Sequence, residues 1–411
     1  MQFGWGSTGK IAAVMDALRA RHGDRISFTG LASALGRPVL AAHPVTGWLD
    51  VPSDDDDLAE LAAAHRFAAA VVVLDPELAS RLQSVGVPVV YLDSLPFLWT
   101  DHDELPVDVA AYCAQLCPAL PRTCWSSLRR IRSLHWVGPV VGGPADGGAA
   151  PVPGRAVLNL GGLESPLRDH GDNAYLSLVL SRALTALRDQ GFRDVVITGN
   201  VDLDRLPRAA DVAGISVRGG RLPRGRFLDE LRTAELVVTS PGRTTLLEAA
   251  SLNQRCVVLP PQNLSQIFNA ADVATQVDPR IVVGWPADVV DEAVLDERRT
   301  HGEAEAVRYL YGRIADAAGR APAHGDRLAA RLGAAIEASA RPGARMAPLL
   351  GPGAADGAAE VADIVDTVVE RNNGNTPGRP ALPSAAGASA RTHHQPGDAR
   401  EMETDVYAAS R

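Results

Sequence analysis

Five residues between Ser240 and Glu248 have the types and spacing needed to hold a phosphate and an adjoining sugar. The stretch runs LVVTSPGRTTLLEAASLNQRCVVLPPQNLSQIFNA from Leu236 to Ala270. Its first apolar run, Leu236 to Val238, ends in Thr239-Ser240-Pro241-Gly242, and a helical pattern follows from Arg243 to Leu252. A helix that starts there leaves free backbone N–H groups beside Ser240, Gly242, Thr244 and Thr245, where an anion is favoured. Glu248 stands four residues beyond Thr244 and so on the same face, placed to accept from sugar hydroxyls. A second apolar run, Cys256 to Leu259, ends in Pro260-Pro261, and a further helical pattern opens near Asn263.

Other positions could add chemistry. Asp93 follows the apolar run Val87 to Leu92 and precedes Ser94-Leu95-Pro96-Phe97-Leu98-Trp99, a rigid apolar loop. A carboxylate at such a strand edge can act as a general base, or it can close an Asx turn. Gly4-x4-Gly9-Lys10 nearly matches an ATP-binding phosphate loop, but Ile11 stands where magnesium needs Ser or Thr. A glycine turn over Gly6, Ser7, Thr8 and Gly9 that lets a ligand or a facing domain come close is the better expectation. His43 and His102 are loop histidines. Cys113, Cys117 and Cys124 lack a well-spaced fourth ligand, so no metal site is expected and the thiols read as reduced. Asp202-x-Asp204 reads as a helix N-cap.

These residues need strand edges and helix starts to hold them. Strands are expected at Ile26–Ala34, Ala69–Leu74, Val87–Leu92, Leu134–Val137, Ala156–Leu160, Asp194–Ile197 and Ile215–Val217. Helices are expected at Lys10–Arg21, Asp54–Arg66, Pro76–Ser84, Val107–Leu116, Asp172–Asp189, Leu203–Ala213 and Phe227–Arg232. Later helices are expected at Val289–Arg299, Glu303–Ala318, Asp326–Ala340 and Ala358–Val369. Alternating strands and helices give parallel sheets covered by helices. Edges such as Asn159-Leu160-Gly161-Gly162 and Thr198-Gly199-Asn200 carry small or polar residues suited to a nucleotide.

A length of 411 residues suggests two domains. Residues 1–137 form the first, with its first strand short or missing before Gly4, and 138–154 is a Gly/Pro-rich linker. The second covers 155–341, followed by a helical segment at 342–372. The polar, Pro/Ala/Gly-rich tail, 373–411, is expected to be disordered. A net charge of −9 argues against general nucleic-acid binding. No apolar run approaches the ~20 residues of a membrane span. With no leader pattern either, a cytoplasmic location is expected.

Taken together, the chain resembles GT-B glycosyltransferases, which have two Rossmann-like parallel-sheet domains facing a cleft. Three pieces carry the resemblance: FGWGSTGK at the start, the linker, and TSPGRTTLLEA followed by PPQNLSQIFNA. The last is similar to the donor site of the MurG-like and UDP-glycosyltransferase branches. The resemblance implies that Ser240, Gly242, Thr244 and Thr245 seat the diphosphate and that Glu248 holds the ribose. It implies that Gln262, Asn263 and Gln266 touch the donor sugar, over a coverage of about Met1 to Arg341. A narrower resemblance, through GWGSTGK and PGRTT…PPQNxSQ, is to cytosylglucuronic acid synthases, which join UDP-glucuronic acid to cytosine in nucleoside-antibiotic pathways. There Arg243 would meet the glucuronate carboxylate.

The resemblance implies inverting transfer, with Asp93 as base and no essential metal. The nucleotide sugar, UDP-linked, is a co-substrate rather than a resident cofactor, and the other partner is a small-molecule acceptor. Two rivals remain: a nucleotide-sugar 2-epimerase-like enzyme and a non-catalytic glycosyltransferase-like partner. Gly-Arg-Thr-Thr, in place of a histidine-rich helix entrance, disfavours the epimerase. Acceptor identity and oligomeric state are open.

Overall fold

The computed structural model describes residues 6–31, 36–37, 39–41, 43–118, 120–142, 150–163, 174–201, 212–299, 301, 303–351 and 356–374. Several expectations fall outside these residues: the missing first strand with Gly4 and Trp5, Glu164, the helix start at Asp172, most of Leu203–Ala213, Asp202-x-Asp204, and the tail from Asn375 onward. The middle of the linker, 143–149, does so too.

The first half comprises α1 (Gly6–His22), β1 (Phe28–Leu31), β2 (Val45–Leu49), α2 (Asp55–His65), β3 (Ala70–Val73), α3 (Pro76–Ser84), β4 (Val89–Asp93), β5 (Ala111–Gln115), α4 (Arg122–Leu128) and β6 (Leu134–Val137). The strands β3-β4-β5-β6 form a parallel sheet in that order, and β1 and β2 pair separately, also in parallel. Local chemistry starts the helices. Asp54 accepts from the Asp57 N–H at 2.8 Å to cap α2, and Asp75 caps α3 by accepting from Leu78, with Pro76 in the first turn.

The second half comprises β7 (Val152–Leu160), α5 (Ala174–Asp189), β8 (Asp194–Gly199), β9 (Ser216–Gly220), α6 (Arg224–Thr233), β10 (Ala234–Thr239), α7 (Arg243–Ser251), β11 (Cys256–Val258) and α8 (Leu264–Gln276). It ends with α9 (Glu292–Arg299), α10 (Glu303–Gly319), α11 (Ala321–Ser339) and α12 (Gly357–Asn372). The sheet order is β11-β10-β7-β8-β9, all parallel. Its central strands are apolar on both faces, as a sheet covered by helices on each side requires. The chain winds outward from β7 through β8 to β9, then crosses back to β10 and β11. The C-terminal ends of β7 and β10 therefore flank the switch point, where a crevice opens between diverging connections.

Several elements differ from expectation. Val107–Leu116 is not a helix, because β5 occupies Ala111–Gln115 as an inner strand with all five residues buried. Burial between β4 and β6 overrides the helical spacing of a short run. The helix α1 starts by Gly6 rather than Lys10, so Gly6–Gly9 forms its first turns. The strand expected from Ile26 is the shorter β1, and β2 had no signal. Val152–Gly154, at the end of the linker, already belongs to β7. The helix expected from Val289 begins at Glu292.

The last of the described helices, α12, returns to the first half. Val361, Ala362, Val365 and Val368 share one core with Ala13, Val14 and Leu18 of α1 and with Val90, Leu92 and Cys113 of the first sheet. Two parallel α/β domains with flanking helices thus face each other across a cleft, and a helical segment follows the second domain. This is the GT-B architecture.

Candidate functional site

A cavity of about 370 Å³ lies between the C-terminal strand edges of the two domains. The second domain contributes Asn159, Gly161 and Gly162 at the end of β7, Thr198, Gly199 and Asn200 at the end of β8, and Gly242 to Thr245 with Glu248 at the start of α7. Asn159 fixes these edges to one another. Its amide donates to Thr239 Oγ1 at 3.0 Å and to Thr245 Oγ1 at 3.4 Å, and its carbonyl accepts from Thr198 Oγ1 at 3.1 Å. At α7, the N-cap Gly242 is extended and supplies no side-chain cap. An anion at that first turn would meet backbone N–H donors and the positive end of the helix dipole.

Gln262, Asn263 and Gln266 form a mutual clamp at the start of α8. Asn263 accepts from the Gln266 N–H at 3.0 Å, and Gln266 Oε1 accepts from the Gln262 N–H at 2.8 Å. Gln262 Nε2 donates to the Gly161 carbonyl at 2.9 Å, which ties α8 to the β7 edge. Asn263 and Gln266 line the cavity, while Gln262 and Ser240 are fully buried behind it. Gly162, at φ +82°, cannot be replaced without cost, because a Cβ there would lie 2.6 Å from Gln266 Nε2.

On the first-domain side the cavity meets Gly6, Ser7 and Gly9 of α1, an apolar wall of Val39, Leu74, Pro76, Leu95, Leu98 and Trp99, and two polar groups, Ser94 and Asp103. Thr8 is buried off the wall. Gly6 and Gly9 face Thr244 of α7, each leaving only 3.3 Å between a hypothetical Cβ and the threonine side chain. Thr244 Oγ1 donates to the Gly6 carbonyl at 3.0 Å. The glycines therefore let the two domains touch beside the cavity. Helical geometry at Gly6–Gly9 also separates this segment from a phosphate loop.

Asp93 is not on the wall. It is fully buried; Oδ1 accepts from the Leu95 N–H at 2.9 Å in an Asx turn, and Oδ2 accepts from Trp99 Nε1 at 2.6 Å and Tyr112 Oη at 2.7 Å. Burial pushes its carboxyl up to about 6 against the pull of these three donors. With both oxygens occupied, Asp93 positions Trp99 rather than presenting a base to the cavity. Asp103 does line the cavity, accepting from the Thr100 N–H and hydroxyl at 2.8 Å each through Oδ2.

Three buried cations stand where the domains meet. Lys10 Nζ donates to Gln115 Oε1 at 2.9 Å and Val140 O at 3.4 Å, and burial, with Arg243 and Arg224 nearby, lowers it to about 7 despite Glu248. Arg243 donates to Asp272 Oδ2 at 3.0 Å and to the first domain's Leu116 carbonyl at 3.3 Å. Asp272 is itself raised to about 6 by burial, offset by Arg243. Arg224 reaches Asp16 at 3.5 Å and Glu248 at 3.7 Å. Burial raises Glu248 to about 7, with Arg224 and then Lys10 opposing. Lys10 was visible in sequence as the Gly9-Lys10 pair. Arg224 had no signal within Leu222-Pro223-Arg224-Gly225-Arg226.

His43 pairs with Asp16 at 3.2 Å, and His102 is exposed. None of the four cysteines is in a disulfide, and burial raises Cys113, Cys124 and Cys256 to about 12. Among the described residues, no three His, Cys, Asp or Glu side chains are grouped to hold a metal ion. No helix among them is long and apolar enough to cross a membrane.

Among solved structures, the chain is similar to Medicago truncatula UGT71G1 complexed with UDP-glucose, at 11% identity over 89% of this chain and 96% of that one, TM-score 0.48. It is similar to Arabidopsis thaliana UGT89C1 complexed with quercetin, at 12% identity over 90% and 96%, TM-score 0.49. A third is Acinetobacter baumannii MurG, at 14% identity over 80% and 96%, TM-score 0.42. Likeness this distant concerns chain path alone. No protein-family model matches the chain, and no curated protein matches it.

Proposed function

We propose that the protein is an inverting glycosyltransferase that takes a UDP-linked sugar and works without a bound metal. The observation that carries this is the switch-point crevice. The uncapped first turn of α7 stands there one helical turn from the buried carboxylate of Glu248, opposite an apolar wall with a single carboxylate, Asp103. A diphosphate fits the helix start and a ribose fits Glu248, which leaves the donor sugar toward Asn263 and Gln266. The acceptor would then lie against Trp99, Leu95 and Leu98.

In the reaction the acceptor attacks C1 of the sugar, the bond from C1 to the phosphate oxygen breaks, and the nucleoside diphosphate departs. Charge that develops on it is met by the α7 N–H groups and dipole. The acceptor's proton passes to Asp103, which replaces Asp93 as the assigned base because it faces the cavity with Oδ1 free of the Thr100 contacts. The sequence resemblance favours UDP-glucuronic acid as donor and cytosine as acceptor, giving cytosylglucuronic acid in nucleoside-antibiotic biosynthesis. Arg243 would have to exchange Asp272 for the glucuronate carboxylate in that case.

Product analysis tests this directly. Purified protein with UDP-glucuronic acid should release UDP and form a cytosine glycoside only when cytosine is added, and EDTA should not alter the rate. Failure with this pair, but turnover within a panel of UDP- and dTDP-sugars, would retain the transferase and remove the narrow assignment. A 2-epimer formed without acceptor would identify an epimerase. Silence throughout would leave a non-catalytic partner.

A further inference from the structure

We propose that Arg224 reads the nucleobase of the donor by donating to a ring carbonyl, an inference that rests on the nucleotide-sugar reading above. Arg224 lines the cavity although only 9% of it is exposed. Its Nε and Nη2 are buried without a hydrogen-bond partner. The guanidinium is ion-paired, at 3.5 Å to Asp16 and 3.7 Å to Glu248, yet two buried nitrogens without an acceptor are costly to keep, and that cost falls away if a ligand supplies the acceptors. The group cannot swing away to find others. Gly142 lies so close that a Cβ there would overlap Nη2, and Asp16 and Glu248 flank the remaining edge.

Position decides what the acceptor is. Along the cavity wall, α7 offers its first turn to a diphosphate and then Glu248 to a ribose. Arg224 comes next, with Nη2 3.7 Å from Glu248 Oε1. The same segment places Leu222 and Phe227 on the wall, apolar side chains suited to the faces of a planar ring. Charge excludes a second phosphate or carboxylate here. Such an anion would sit beside both Asp16 and Glu248, whereas a neutral carbonyl would draw on the two free N–H groups without that repulsion. Uracil and thymine carry ring carbonyls; adenine carries none.

The test is calorimetric titration of UDP and of ADP into the wild-type protein and into Arg224→Met, Gly142→Ala and Asp16→Asn. The wild type should prefer UDP by about 100-fold, two polar contacts at roughly tenfold each. Arg224→Met should weaken UDP by about 10- to 100-fold and ADP by less than about threefold, so that the preference collapses. Gly142→Ala, which displaces the guanidinium while keeping its charge, should do the same. Asp16→Asn should leave the preference as it is. Equal weakening of UDP and ADP in Arg224→Met would overturn the proposal, as would no change in either. Loss of the preference in Asp16→Asn would make Arg224 an interdomain strut instead. If the wild type binds neither nucleotide, the nucleotide-sugar reading itself fails and this inference falls with it.

Discussion

The indole N–H of Trp99 donates to Oδ2 of Asp93 at 2.6 Å, so a carboxylate that never reaches the cavity fixes an aromatic side chain that does. Asp93 and Asp103 therefore divide the work of the first-domain wall, one positioning Trp99 and one facing the cavity. Asp103→Asn should lower kcat by about 10²- to 10⁴-fold with little change in acceptor KM, the usual range for a lost general base. Asp93→Asn should lower kcat by less than about tenfold and act mainly on acceptor KM, through a loosened Trp99. Steady-state kinetics on both variants decide it, and the opposite ranking in kcat would restore Asp93 as the base.

Asp93 should also leave a mark on stability. Its folded pKa, about 6, lies above the ordinary carboxylate value because burial disfavours the charged form. The folded state thus holds this proton more tightly than the unfolded chain. The group's contribution is fully present below pH ~4 and is lost as pH rises to ~6, by on the order of 3 kcal/mol. Denaturant unfolding of wild type and Asp93→Asn across pH 4 to 7 isolates it. The wild type should lose ground to the variant over that interval, and a constant difference would mean that Asp93 titrates normally.

If Glu248 holds the ribose as proposed, it links donor binding to pH. Its ionised form is the stronger hydroxyl acceptor and presents both oxygens without a proton, and burial raises its pKa to about 7 in the free protein. UDP-glucose affinity should therefore rise with pH through about 7, relative to Glu248→Gln. That variant should bind about 10- to 100-fold more weakly at pH 8, the worth of a charged hydrogen bond. UDP-glucose is the suitable probe because its diphosphate does not titrate there, and the difference between the two proteins removes the parallel titration of Lys10. A pH-independent ratio would show that Glu248 does not hold the ligand through its charge.

How far these features were legible follows from how local they are. The second-domain wall from Leu236 to Ala270 is one continuous strand–turn–helix repeat, so its turn residues, the helix start at Arg243 and the i+4 place of Glu248 could all be read along the chain. Asp93 was found as a strand-edge carboxylate, yet its occupancy by Trp99 and Tyr112 depends on a loop and on β5. That strand itself read as a helix, since Ala110 to Leu116 is short and apolar and only its place between two strands decides its state. Arg224, Gly142 and Asp16 meet from three segments, and the return of α12 to the first sheet joins residues more than 200 positions apart, as in the Gly138 N–H bond to Glu360 at 2.7 Å. No sequence periodicity encodes such contacts.

That return makes α12 a structural part of the first domain, and its removal should be felt at the opposite end of the chain. Val361, Val365 and Val368 are at most 5% exposed and pack against Ala13, Val14 and Leu18 of α1, the helix whose first turns line the cavity. Val365→Ala deletes two buried methyl groups and should cost about 1–3 kcal/mol, from transfer of those groups and the space they leave. Because α1 also holds Gly6 against Thr244, the loosening should reach the cleft. A chain ending after Gly351 should therefore lose the cooperative unfolding of its first domain while the second domain, whose core contains none of α12, still melts as a unit. Hydrogen exchange separates the two domains: protection should vanish in α1 and in β4 and β5 but persist in β7, β8 and β10. Retained protection in α1 would show that α12 merely covers a domain already stable without it.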